Sequence, residues 1–243
     1  MLKELFGGAV TAALPDSWLD ASTIRVIPDN QEVYIDPENQ LNHIIIEILE
    51  TVSKNDEYSI GFHFKDLCNM NNAKNVILHY NCIIANENIP NIESNIYKAG
   101  LISNQQIGRF QNRDVITYMS LFRLPQVRTD FLISLNITLP TELPKKEESI
   151  DGKDGKKKSV NLDELFQFGE HEITSNTNSL PIFHDIKSES SKPQIESIQL
   201  GRDSLGDDHY IMVEKHIAEG NDGAIVKELL KTFRINDMKL FEA

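Results

Sequence analysis

Carboxylates are the side chains of this sequence that come closest to a chemical constellation. Glu47 and Glu50 stand three apart at the end of an apolar run. Two such groups could divide acid and base roles or hold a cation. In a regular strand an odd spacing sends them to opposite faces, and they share a face only if the strand ends or bulges before Glu50. No stretch has the D-x-[DN]-x-[DN]-G spacing of a calcium loop. Gly152, Gly155, Lys156 and Ser159 have the residue types of a phosphate cradle at the wrong spacing. Gly7-Gly8 lacks the third glycine and the βαβ unit of a dinucleotide site. His43, His63, His79, His171, His184, His209 and His216 are scattered without H-E-x-x-H or other paired-ligand spacing. His63 and His79 adjoin apolar runs and read as packed. Cys82, between Asn81 and Ile83, reads as buried in a strand, and no G-x-S-x-G elbow is present. The residues therefore predict no catalytic set, no cofactor site and no metal site.

Charge is more informative than motif. The chain has 243 residues and a net charge of −13, which argues against the basic face that nucleic-acid binding needs. Residues 1–50 carry nine acidic side chains against Lys3 and Arg25 alone. Such a concentration can steer a basic partner, although a plain solvated surface would look the same. Cys68 and Cys82 cannot build a disulfide scaffold, which fits a reducing compartment. The first residues lack a basic stretch followed by a long apolar run, so no signal peptide is expected. No run of about 18 apolar residues occurs, so no membrane span is expected.

These side chains must be placed by the elements between turn signals. Ala9–Leu14 reads as a short strand stopped by Pro15, and Pro28-Asp29-Asn30 as a turn before a strand at Glu32–Asp36. His43–Leu49 reads as a buried strand. A helix is expected over about 56–70, with Tyr58 and Phe62, and Ile60, Phe64 and Leu67, at helical spacing. Asn75–Ala85, Ile96–Ile107, Val115–Leu124 and Val127–Leu139 read as strands, the last two joined tightly at Pro125-Gln126. Its Phe131, Ile133, Leu135, Ile137 and Leu139 fall on one face.

Residues 141–220 are polar and irregular and read as a low-order, disordered insertion, with at most a transient helix at Leu162–Phe168. Asp222 is then the candidate cap of an amphipathic helix through Ile225, Leu229 and Phe233, and the apolar tail Ile235, Met238, Leu240 and Phe241 is expected to dock on the sheet. The predicted fold class is α+β, a mostly antiparallel sheet with helices packed on it, formed by 1–140 and 221–243 as one discontinuous domain.

Four blocks carry a family resemblance: Leu5-Phe6-Gly7-Gly8-Ala9; Asp20-Ala21-Ser22 with Arg25 and Pro28-Asp29-Asn30-Gln31-Glu32-Val33-Tyr34; Ile45-Ile46-Glu47-Ile48-Leu49-Glu50-Thr51-Val52; and Leu121-Phe122-Arg123-Leu124-Pro125-Gln126 followed by Thr129-Asp130. Together they resemble the Ran guanine nucleotide release factors. Leu229-Leu230-Lys231-Thr232-Phe233 through Phe241 is similar to the family's closing segment. The resemblance implies a PsbP-like curved antiparallel sheet flanked by helices on both faces. It implies binding to the GTPase Ran, release of its guanine nucleotide, a role in nuclear import, and a place in the nucleus and also the cytoplasm. It assigns Ran binding to Asp20, Asp29, Glu32, Glu47 and Glu50, which match acidic positions of the second and third blocks. Taken without the resemblance, Asp20 is a helix cap for the Ala21–Arg25 turn and Asp29 a turn former.

The protein is expected to act as a monomer without cofactor, covalent chemistry, membrane or direct nucleic-acid contact. The segment 141–220 is longer than the family's usual connection, which leaves an alternative: an import scaffold or adaptor acting through that insertion. Lys145-Lys146 and Lys156-Lys157-Lys158 loosely resemble a bipartite nuclear signal, diluted by Glu147, Glu148, Asp151 and Asp154.

Overall fold

Branched and aromatic residues between short turn signals fill the first 140 residues, and the chain answers with strands. The computed structural model describes residues 1–53, 55–108, 113–139, 199–200, 213, 216–217 and 220–241. Its strands are β1 (Leu2–Leu5), β2 (Val10–Ala13), β3 (Leu19–Asp20), β4 (Gln31–Ile35), β5 (His43–Glu50), β6 (Ala73–Ile83), β7 (Tyr97–Ile107), β8 (Arg113–Leu124), β9 (Thr129–Thr138), β10 (Gln199–Leu200) and β11 (Arg234–Ile235). The two helices used below are α1 (Asp56–Met70) and α2 (Asp222–Thr232). An eight-stranded sheet runs β10-β6-β7-β8-β9-β5-β4-β3, and a small sheet runs β1-β2-β11. Every pairing is antiparallel except β10 against β6. The predicted α+β class with a mainly antiparallel sheet is the observed one.

The large sheet buries both faces. On one face α1 supplies Ile60, Phe64 and Cys68 against Leu101, Met119, Leu121 and Leu132. Tyr58 and Phe62 flank this stripe half-buried, so the helical face is narrower than the spacing predicts. On the other face lie the small sheet and α2, and the larger core joins Leu5, Val10, Tyr34, Ile44, Ile46, Phe122, Phe131, Leu229 and Phe233. Phe233 is fully buried, with its ring centroid 5.2 Å from that of Phe122 and 5.1 Å from that of Phe131. Ala13 donates its N–H to Thr232 Oγ1 at 2.7 Å, tying the end of α2 to β2. Ile235, Leu240 and Phe241 of the closing tail pack on the same core, whereas Met238 stays exposed.

Local differences from the sequence reading have local causes. The strand expected from Val127 begins at Thr129, because Pro125–Val127 forms a 3-10 turn and Arg128 takes a left-handed conformation, φ 50°. β1, β3 and β11 are too short to show an alternation in sequence; β3 and β11 have two residues each. Val213 and Ile217, inside the segment read as an insertion, are buried in the larger core, and Gln199–Leu200 pairs with β6. Apart from His216, the remainder of 141–219, with Leu162–Phe168 and the lysine clusters, lies outside the described residues.

Candidate functional site

The acidic side chains gather where the large sheet ends in β3, β4 and β5. β3 pairs with β4 so that Asp20 opposes Tyr34, and β4 pairs with β5 so that Gln31 opposes Glu47 and Glu32 opposes Ile46. Directly opposed residues share a face. Tyr34, Ile44 and Ile46 belong to the larger core. Asp20 and Glu32 therefore stand on that face, and Glu50 follows by alternation along β5. Glu47 falls on the opposite face, the one that α1 covers. β5 pairs with β9 without a break from His43 to Glu50, so nothing brings Glu47 and Glu50 to one side.

Each carboxylate has a local task. Asp20 Oδ1 accepts the N–H of Ser22 at 2.8 Å and caps the 3-10 turn Ala21–Thr23, the cap that its position predicts. Asp29 sits exposed in the turn that Gln31 N–H closes onto Pro28 O at 2.9 Å. Glu32 Oε1 accepts the N–H of Phe6 at 2.5 Å. That bond anchors a turn in which Phe6, Gly7 and Gly8 all have positive φ (50°, 65° and 92°), a path that glycine allows at little cost. Glu47 Oε1 accepts from the Gln31 side-chain amide at 2.6 Å. Glu50 ends β5 exposed, at the rim of a groove of about 460 Å³ lined by Ile48, Val127, Arg128, Leu240 and Phe241.

The electrostatics of this edge are unfavourable for negative charge. Burial pushes the Glu32 carboxyl above its ordinary range, the Phe6 N–H opposes that, and the Asp20 charge adds to it. Tyr34 is pushed up to about 12 by burial and by the charges of Glu32 and Asp20. Burial also raises Glu47, against the Gln31 amide and the charge of His63. A cationic group brought to Asp20 and Glu32 would relieve their repulsion.

Behind the edge lies a network that the residue-by-residue reading missed. Asp130 is fully buried. Its Oδ2 lies 2.8 Å from His63 Nε2 and accepts the Val52 N–H at 3.2 Å, while Oδ1 accepts from Arg123 Nε at 3.1 Å. Arg123 also donates to Asp56 Oδ1 at 2.9 Å and to Val52 O at 2.7 Å. These bonds fasten the chain after β5 and the start of α1 to the β8–β9 pair. The available signal was a charged residue at each inner end of two apolar strands, because a buried charge needs a partner.

His63 is thus packed and bonded, as its surroundings predict. Cys82 is buried in β6, as expected, and burial holds its thiol up at about 12. Among the described residues, no three histidine, cysteine or carboxylate side chains gather as metal ligands.

These elements define a class: an α+β module in which an acidic rim edges a doubly covered, mainly antiparallel sheet. The chain belongs to the Ran-interacting Mog1 protein family, whose model matches residues 3–138, a span that holds all five acidic positions. It is 36% identical over 145 residues to a Ran guanine nucleotide release factor of Danio rerio, covering 56% of this chain and 77% of that protein. It is 30% identical over 165 residues to nuclear import protein mog1 of Schizosaccharomyces pombe, covering 63% of this chain and 86% of the relative. Among solved structures, the Saccharomyces cerevisiae Ran-binding protein Mog1p aligns with TM-score 0.48 and 28% identity over 58% of this chain and 77% of that one.

Proposed function

We propose that this chain binds the small GTPase Ran through the acidic edge at β3, β4 and β5, promotes release of its guanine nucleotide, and so supports nuclear protein import. The observation that carries the reading is the crowding of Asp20 and Glu32 on one face, with Asp29 exposed in the turn between their strands. Like charges held together at a half-buried edge attract a cationic partner strongly, and charge-assisted hydrogen bonds exceed neutral ones. Relatives whose names carry Ran nucleotide release and nuclear import support the same partner.

Nucleotide release by this route needs no covalent chemistry. The protein binds empty Ran more tightly than loaded Ran, and linkage makes each ligand weaken the other by the same factor. In this reading Asp20, Asp29, Glu32 and Glu50 face the GTPase. Glu47 acts from behind, through the Gln31 amide. The working unit is a monomeric domain made of 1–140 and 221–243, to which Val213 and Ile217 add core contacts and Gln199–Leu200 a short strand. It acts in the nucleus and the cytoplasm, without nucleic acid or membrane.

The test is release of fluorescently labelled GDP or GTP from purified Ran. Release should accelerate with added protein, and the pair Asp29→Asn with Glu32→Gln should slow it at least tenfold. Raised salt should slow association, because exposed charges are screened beyond about 10 Å at 0.1 M. A release rate equal to the spontaneous one at saturating protein would refute the proposal.

A further inference from the structure

β3 and the loop after it expose apolar side chains beside Asp20 and Asp29. Val26 is 96% exposed, Ile24 66% and Leu19 49%. Exposed apolar residues scattered singly are ordinary on protein surfaces. Here three of them fall within eight residues, and Asp20 and Asp29 flank Ile24 and Val26. The same loop buries Ala21 completely and Ile27 in part, so it is not a segment left wholly outside the core. Its path is also fixed: Ile24 and Arg25 both donate their N–H groups to Ala21 O, at 3.0 and 2.9 Å.

We infer that Ile24 and Val26 are the apolar anchors of the surface proposed above to meet Ran, entering an apolar depression on the GTPase that basic side chains border. The inference rests on that reading of the acidic edge. The charges and the apolar groups divide the work. Asp20 and Asp29 act at a distance and set the rate of encounter and its salt dependence. Ile24 and Val26 act only on contact, when water leaves them, and set the rate of dissociation. Buried apolar anchors ringed by polar contacts are how such interfaces concentrate their binding energy. Arg25, exposed between the two, narrows the partner further, because its guanidinium needs an acceptor opposite.

The experiment uses the full chain and purified Ran, both nucleotide-loaded and stripped. Association and dissociation rates are measured at two salt concentrations for the wild type, Asp29→Asn, and the double variant Ile24→Ser with Val26→Ser. In the double variant dissociation should quicken on the order of tenfold or more while association changes less than about twofold. Asp29→Asn should show the reverse, with slower association and a weaker salt dependence. Val26→Thr keeps the side-chain shape but exchanges a methyl for a hydroxyl, and it should raise the dissociation rate by about threefold with the fold undisturbed. Unchanged dissociation in the serine and threonine variants, with Asp29→Asn behaving as described, would overturn the anchors and leave the acidic edge standing. Absence of any complex between the wild type and either form of Ran would overturn both.

Discussion

Arg123 and Asp130 stand directly opposite each other in the β8–β9 pair, and Arg123 Nε donates to Asp130 Oδ1 at 3.1 Å in the protein interior. The pair is the hub from which Val52, Asp56 and His63 are reached. Removing one partner leaves the other charge in the interior with part of its compensation gone, which is far costlier than losing an exposed ion pair. Arg123→Met should destabilise the protein by about 3–5 kcal/mol in urea unfolding. Because the network also seats the start of α1, hydrogen exchange should rise first in α1.

The same carboxylate sets an acid limit. Burial opposes its charge, but hydrogen bonds from His63 and Val52 and the charge of Arg123 more than offset that and hold Asp130 below its usual range. A folded-state pKa below the unfolded one gives stability that is present above the unfolded value of 3.8 and lost as pH falls through the folded value. Asp130→Asn should therefore be less stable than the wild type at pH 6, and the gap should close as pH falls below 3.8. Unfolding curves taken at pH 6, 4 and 2.5 check this; a gap that stays constant would contradict it.

His79 predicts a second pH effect at milder acidity. Burial pushes its pKa from 6.5 down to about 4. Between those values the unfolded chain binds a proton that the folded chain refuses, so stability falls as pH drops through that window. His79→Gln should flatten the dependence of the melting temperature on pH between 6.5 and 4.

Glu32 and Glu47 separate binding from architecture. Burial raises both carboxyls, so at neutral pH each charge opposes folding to some degree. Glu47→Gln keeps an oxygen for the Gln31 amide, so it should be at least as stable as the wild type at pH 7 and weaken Ran binding less than Glu32→Gln does. Glu32→Gln keeps an oxygen for the Phe6 N–H and should fold normally while losing Ran affinity. Glu32→Ala removes that acceptor and should also lose about 1–3 kcal/mol of stability. Calorimetry of Ran binding beside thermal melts of each variant distinguishes the roles.

Phe233 tests whether the closing segment is part of the domain. It is fully buried between Phe122 and Phe131 although about a hundred residues separate it from them in sequence. Phe233→Ala should cost about 3–5 kcal/mol through lost burial and the cavity left behind. Truncation before α2 should prevent cooperative unfolding altogether, since Leu229, Leu230 and Phe233 all leave the larger core.

The sequence by itself determined the parts of this protein that depend on neighbours along the chain. Branched apolar runs between turn signals marked β5, β7 and β8, alternation marked most of β9, helical spacing marked α1 and α2, and the position of Asp20 before Ala21 marked its cap, because these signals come from local composition, backbone periodicity and local hydrogen bonds. The concentration of acid in residues 1–50 was equally visible. Only the tertiary structure decided which face each carboxylate takes. It put Glu47 under α1 and Glu50 at the groove, set Glu32 onto the Phe6 N–H, and joined Arg123, Asp130 and His63 into one network. Those contacts span from 7 to 67 residues and depend on strand register and packing, which no local pattern encodes.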